Sequence, residues 1–252
     1  GKKIGFSPVK EMALKFSLPI LQPKSMKSEE FISELKSYNA DLQIVVAFRM
    51  MPKEVYSMPK MGTFNLHTSL LPKYRGAAPI NWAIINGEKQ TGITTFLLND
   101  KIDCGEILLQ KKIEIKQDTT FETLYDEMAE RGKKLVIDTI SLLCQENYHT
   151  IPQKEVENAP APKIFKEDTY INWHQNGEKI VNFVRGLSPI PAAKAIFCEN
   201  ISNKEYEFKI FAVKFTENNE KKVVGNFWIE QGKEIFVKCN NGKLQLVDLQ
   251  LS

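Results

Sequence analysis

Leu42-Gln43-Ile44-Val45-Val46-Ala47-Phe48 is a nearly continuous apolar run. A strand with one wet face would alternate, so this run predicts a strand covered on both faces, as in a parallel sheet. An amphipathic helix is expected just before it, over Ser28–Ser37, with Phe31, Ile32 and Leu35 on one side and Glu29, Glu30 and Glu34 on the other. Helix then buried strand is the layering of an α/β fold. Downstream, Thr63-Phe64-Asn65-Leu66-His67 reads as a short strand running into Ser69-Leu70-Leu71-Pro72-Lys73-Tyr74-Arg75-Gly76, rich in turn formers. Polar side chains therefore gather at a strand's carboxyl end.

Pro79 to about Asn86 has Pro in the first turn and Gly87 just past the end, the expected asymmetry of helix termini. Thr91–Leu98 and Gly105–Ile115 read as two further strands, joined by the polar loop Asn99–Cys104 as a hairpin or sheet edge. A long helix over Thr119–Cys144, with Phe121, Leu124, Met128, Leu135, Ile137 and Leu142 in its apolar pattern, closes the first domain, residues 1–147. Three prolines (Pro152, Pro160, Pro162) among polar residues predict an extended, partly stiff linker over residues 148–166. A second domain follows over residues 167–252. It has a helix over Asn176–Leu187 and strands at Ala195–Phe197, Tyr206–Phe215, Val223–Glu230, Glu234–Lys238 and Leu244–Leu251, a pattern that suggests a small β-barrel.

Composition sets bounds without choosing a function. Hydrophobic residues at 42% and charged residues at 26% of 252 exclude global disorder. No run approaches the roughly 18 apolar residues of a membrane helix, and the first residues lack the apolar core of a secretory signal. A cytoplasmic protein with no membrane partner, acting as a monomer, is the expectation. Cys104, Cys144, Cys198 and Cys239 are too scattered for a zinc knuckle or a redox pair. A formal charge of +3 permits nucleic-acid binding and does not require it.

Asn65 and His67 lie two apart on a strand, so their side chains leave the same face. Asp103 falls in the loop before another strand, where a parallel sheet would bring it to the same end. The three offer an amide donor for an oxyanion, an imidazole for proton transfer near neutral pH, and a carboxylate to orient that imidazole or take up a proton. That set suits transfer of an acyl-type carbon to an amine without a metal. Read singly, Asn65 or Asp103 is more often a turn former than a catalyst, and His67 has the better claim, although a strand-end histidine can also be a satisfied polar residue.

The stretch from Asn65 to Gly76 resembles the signature of the 10-formyltetrahydrofolate-dependent formyltransferases, and Asp103-Cys104-Gly105 is similar to that family's later Asp-x-Gly. The resemblance implies a Rossmann-like formyltransferase domain with a mostly parallel sheet, followed by a small OB-like β-barrel. It implies 10-formyltetrahydrofolate as formyl donor, Asn65, His67 and Asp103 as the catalytic set, and Ser69, Leu70, Leu71 and Pro72 as the border of the folate and formyl site. Flanking residues, Arg75-Gly76-Ala77-Ala78-Pro79-Ile80 with Trp82 to Glu88, resemble the branch whose acceptor is initiator methionyl-tRNA. So do Ile171-Asn172-Trp173 and Val184 to Pro191, which are similar to the start of that branch's tRNA-binding domain. An amino-sugar nucleotide acceptor, or a noncatalytic folate- or RNA-binding module, are the other readings. The family's opening strand, helix, strand and basic loop have no counterpart before Gly1-Lys2-Lys3, so the amino-terminal part of the first domain is expected to be missing.

Overall fold

The computed structural model describes residues 5–46, 50–145, 147–154, 159–198, 204–218 and 221–252. The chain forms two compact units: Gly1–Gln43 with Phe48–Thr63, and Ile44–Ala47 with Phe64–Ser252.

In the first unit, helix α1 (Pro8–Lys15) is capped by Ser7, whose hydroxyl accepts from the Lys10 amide at 3.3 Å. Helix α2 (Glu29–Ser37) ends as predicted and starts one residue later, with Ser28 as its N-cap. Its Phe31, Ile32 and Leu35 are half-buried, and Glu29, Glu30 and Glu34 are exposed. Strand β1 (Gln43–Val46), which belongs to the second unit from Ile44 on, is the described part of the apolar run, whose Ala47 and Phe48 lie outside the described residues. Val45 is buried while Ile44 and Val46 are exposed, so one face is open where both were expected to be covered. The short helix α3 (Lys53–Tyr56) buries Val55.

The second unit is built on strands β2 (Thr63–His67), β4 (Gln90–Leu97) and β5 (Ile107–Glu114), with the two-residue β3 (Arg75–Gly76) and helix α4 (Pro79–Ile85) between β2 and β4. The four-stranded order is β1-β2-β4-β5, and β2–β4 and β4–β5 pair antiparallel. Helix α5 (Phe121–Leu143) covers this sheet in the expected Rossmann-like α/β layering. A capping box starts α5, with Thr120 and Thr123 each bonding the other's backbone amide. Its buried stripe is Leu124, Met128, Gly132, Leu135, Thr139 and Leu143, spaced by three or four. Ile137, expected in the core, stands two residues past Leu135 and is exposed, because that spacing turns it to the opposite side. Gly132 lets the helix approach the sheet, since an added Cβ would stand 2.9 Å from Leu66 Cδ2.

The β4–β5 connection is as tight. A Cβ at Gly105 would overlap the Leu97 carbonyl. Gly105→Ala must therefore spread the hairpin, and a loss toward the upper end of about 1–3 kcal/mol is expected in urea unfolding, as for other forced overpacking. Unchanged stability would mean that the turn relaxes freely.

Where it is described, the proline-rich segment after α5 is paired with its surroundings. Ile151 and Ile107 exchange backbone bonds of 2.8 and 2.9 Å. Farther on, β6 (Pro160–Ala161) runs parallel to β3, and Ala161 is fully buried. Prolines suit this role because an edge residue gives up one donor without breaking a ladder.

Helix α6 (Gly177–Leu187) then packs Ile180, Val184 and Leu187 under a five-stranded antiparallel sheet. Its strands are β7 (Ala193–Cys198), β8 (Glu205–Glu217), β9 (Phe227–Glu230), β10 (Glu234–Cys239) and β11 (Gly242–Leu251), ordered β7-β8-β11-β10-β9. The sheet curls enough for Phe197 of one edge strand and Phe227 of the other to meet, with ring centroids 4.7 Å apart. Strand β9 begins later than predicted, because Gly225 at φ +87° makes a turn there and bonds the Lys238 carbonyl. Helix α6 also meets α4: Asn81 Nδ2 donates to the Gly186 carbonyl at 2.8 Å. The buried Arg185 donates to the carbonyls of Lys116 and Thr119, so it pins the loop before α5.

Candidate active site

Strand β2 delivers Asn65 and His67 to one face, as the period of two requires. Across the antiparallel pair they sit opposite Phe96 and Thr94. Phe96 meets the His67 ring edge-on, with centroids 6.4 Å apart. His67 is buried, and its Nε2–H donates to the Tyr74 carbonyl at 2.8 Å. That bond places the ring proton on Nε2 and leaves Nδ1 with its lone pair in the neutral tautomer.

Nδ1 faces Asp103, whose Oδ2 is 4.0 Å away. This exceeds hydrogen-bond reach but is close enough for charge to be felt. The Asp103 oxygen accepts instead from the Gly76 amide at 2.9 Å. Asp103 itself stands at φ +52°, the left-handed region that Asp tolerates better than most residues. It reaches β2 through the turn of the antiparallel β4–β5 hairpin and needs no parallel crossover.

Asn65 differs from both neighbours. Its Oδ1 is buried and has no hydrogen-bond partner among the described residues. Such a group costs desolvation without return, which marks a position waiting for a ligand group. Rotation of the amide by half a turn would present a donor in the same place.

The loop after β2 is held from below. Ser69 Oγ donates to the Lys73 carbonyl at 2.6 Å, and Thr94 Oγ1 donates to the Ser69 carbonyl at 2.6 Å. Leu70 packs over Gly92, Leu71 is buried with Phe96 and Ile107, and Leu71–Pro72 is cis. Ser69 and Leu71 thus shape the loop from inside. Tyr74, at φ +60°, is anchored by its hydroxyl, which donates to Glu88 at 2.9 Å. Burial first, and then the Glu88 carboxylate, push the Tyr74 phenol up to about 12, so it stays a donor.

Two residues of the site escaped the motif reading. The Tyr74 carbonyl is a backbone atom and leaves no composition signal. Gln153 lies in the proline-rich segment, and its amide reaches the carbonyls of Asp103 and Gly105 at 2.9 and 2.7 Å. No group of three His, Cys, Asp or Glu side chains suited to a metal ion occurs among the described residues.

An amide, an imidazole and a carboxylate at the end of an α/β sheet, followed by a small antiparallel domain, define a class. The chain belongs to the formyl transferase family, whose formyl transferase model matches residues 1–140 and whose C-terminal-domain model matches residues 163–252. Within that family it is similar to methionyl-tRNA formyltransferases. It is 53% identical over 197 residues to that of Bacteroides fragilis, covering 77% of this chain and 61% of the relative. It is 47% identical over 252 residues to that of Flavobacterium johnsoniae, covering all of this chain and 79% of the relative. The chain therefore spans about three fifths to four fifths of the length of these relatives. Among solved structures, HypX from Aquifex aeolicus in complex with tetrahydrofolic acid superposes with TM-score 0.64 at 22% identity, covering 87% of this chain and 37% of HypX. The sugar 3N-formyl transferase WlaRD gives TM-score 0.64 at 20% identity, covering 96% of this chain and 81% of WlaRD. At such identities these two speak to fold alone. No helix among the described residues is long and apolar enough to cross a membrane.

Proposed function

We propose that this chain transfers a formyl group from 10-formyltetrahydrofolate to the amino group of initiator methionyl-tRNA. The observation that carries the chemistry is the buried, unpartnered Asn65 amide oxygen on the same strand face as a histidine set against Asp103. The acceptor follows from the 47% identity over all 252 residues to a methionyl-tRNA formyltransferase.

The folate donor supplies an electrophilic formyl carbon. Asn65, positioned by β2, offers its amide N–H to the carbonyl oxygen where negative charge develops, and the opposite end of the amide can accept from the incoming amine. His67 takes up or delivers a proton at Nδ1, because Nε2 is committed to the Tyr74 carbonyl. Asp103 stabilises the charge of a proton held at Nδ1 and is itself fixed by the Gly76 amide. An α-amino group titrates at roughly 7.7–8.0, so the attacking amine needs little activation and positioning dominates. Ser69, Leu70, Leu71 and Pro72 form the wall of the donor site. Residues 1–147 carry this chemistry, residues 148–166 connect, and residues 167–252 hold the tRNA. In the second domain, Lys209, opposite Lys194, and Lys214, opposite Gln245, offer amines to phosphates on the face away from α6, while Lys194 is held by Glu207 at 3.0 Å.

The test supplies formyl-labelled donor with charged initiator tRNA in one reaction and a nucleotide-linked amino sugar in another. Label on the methionyl amine is expected. Label on the sugar alone would transfer the chain to the sugar branch, and label on neither would make it a binding module.

A further inference from the structure

Gln153 uses its whole hydrogen-bonding capacity at the site. Its Nε2 donates both hydrogens, to the carbonyls of Asp103 at 2.9 Å and Gly105 at 2.7 Å. Its Oε1 accepts from Arg75 Nε at 3.1 Å and Arg75 Nη2 at 2.7 Å. One side chain therefore joins the Arg75-Gly76 loop to the Asp103-Cys104-Gly105 turn. The same two loops meet again where the Gly76 amide bonds Asp103 Oδ2 at 2.9 Å.

The route to this position is also fixed. Two residues upstream, Ile151 is paired with Ile107, and Thr150 Oγ1 donates to the Glu106 carboxylate at 2.5 Å. Downstream, the Ala159 carbonyl accepts from the Tyr74 amide at 2.7 Å. Residues 150–153 are therefore bonded along the stretch that carries Asp103, Gly105, Glu106 and Ile107. That turn needs a brace, because Asp103 sits at φ +52° and a small rotation there would swing its carboxylate away from His67.

We propose that Gln153 is a positioning residue for Asp103. By closing both backbone carbonyls that flank the turn and the guanidinium of the facing loop, it holds the carboxylate at its 4.0 Å separation from His67 Nδ1. The inference rests on the reading of His67 and Asp103 as the catalytic pair. Displacements on the order of 1 Å at a catalytic group reduce rates by about a hundredfold, which sets the scale of the effect.

The experiment uses Gln153→Leu and Gln153→Glu, each alone and combined with Asp103→Asn. Gln153→Glu keeps the length and an acceptor for Arg75 but loses both donors, so it guards against a general failure to fold. The first readout is amide hydrogen exchange and needs no activity. Gly76 should exchange at least about tenfold faster in both single variants, while Leu71, bonded to Thr94 Oγ1, keeps its rate. The second is steady-state formyl transfer. With Asp103 present, kcat should fall about tenfold to a hundredfold with KM within about twofold, and with Asn at position 103 the same substitutions should cost less than about twofold. A residue that merely fills the loop would leave Gly76 protected, or would cost the same in both backgrounds, and either result overturns the proposal. A parent protein that transfers no formyl group overturns the functional reading, and exchange at Gly76 then decides the positioning role by itself.

Discussion

His67→Ala is expected to lower kcat for formyl transfer by about a hundredfold to ten-thousandfold, the range spanned by a positioned acid or base. The expectation follows from the two ends of the ring. Nε2 is held at 2.8 Å by the Tyr74 carbonyl, so the proton traffic must pass through Nδ1, the end that faces Asp103. Alanine removes that end and leaves the Tyr74 carbonyl without the histidine's hydrogen. One lost partner in a buried place costs on the order of 1–3 kcal/mol, which a stable fold survives. Single-turnover assays beside urea unfolding separate the two losses. A rate within about threefold of the parent's would remove His67 from the chemistry.

Asn65→Ala should show the opposite balance between stability and rate. An amide that donates to a developing oxyanion contributes about a hundredfold to a thousandfold, so kcat should fall by that much. The folded protein, however, gains nothing from Asn65 Oδ1, which is buried and unpartnered among the described residues. Deleting it relieves a desolvation penalty, and resistance to urea should stay level or rise. Binding of a folate to the variant should persist. A variant that loses stability along with rate would show that the amide serves the fold.

Local reading of the chain worked where the physics is local. Helix α2, the ends of α4 and the extent of α5 follow from spacing and end residues, and the same is true of the β4–β5 hairpin. It weakened where a residue's environment depends on distant chain. Ile137 fits a loose apolar count but not the stripe that α5 turns to the sheet. The proline-rich segment looked like a spacer because none of its partners is nearby in sequence: Gln153 bonds atoms 48, 50 and 78 residues away. Tyr74 supplies a backbone oxygen, which no side-chain pattern announces.

The sequence by itself determined the α/β layering, the strand-end pairing of Asn65 with His67, and the chemical character of Asp103, because strand period and side-chain chemistry are properties of the chain. Tertiary structure alone decided that a hairpin turn brings Asp103 to 4.0 Å from His67. It also decided that a carbonyl fixes the imidazole's tautomer and that Gln153 braces the turn. The contacts of Asp103 and Gln153 close loops of tens of residues, and only packing of the whole second unit specifies which of many possible closures is made.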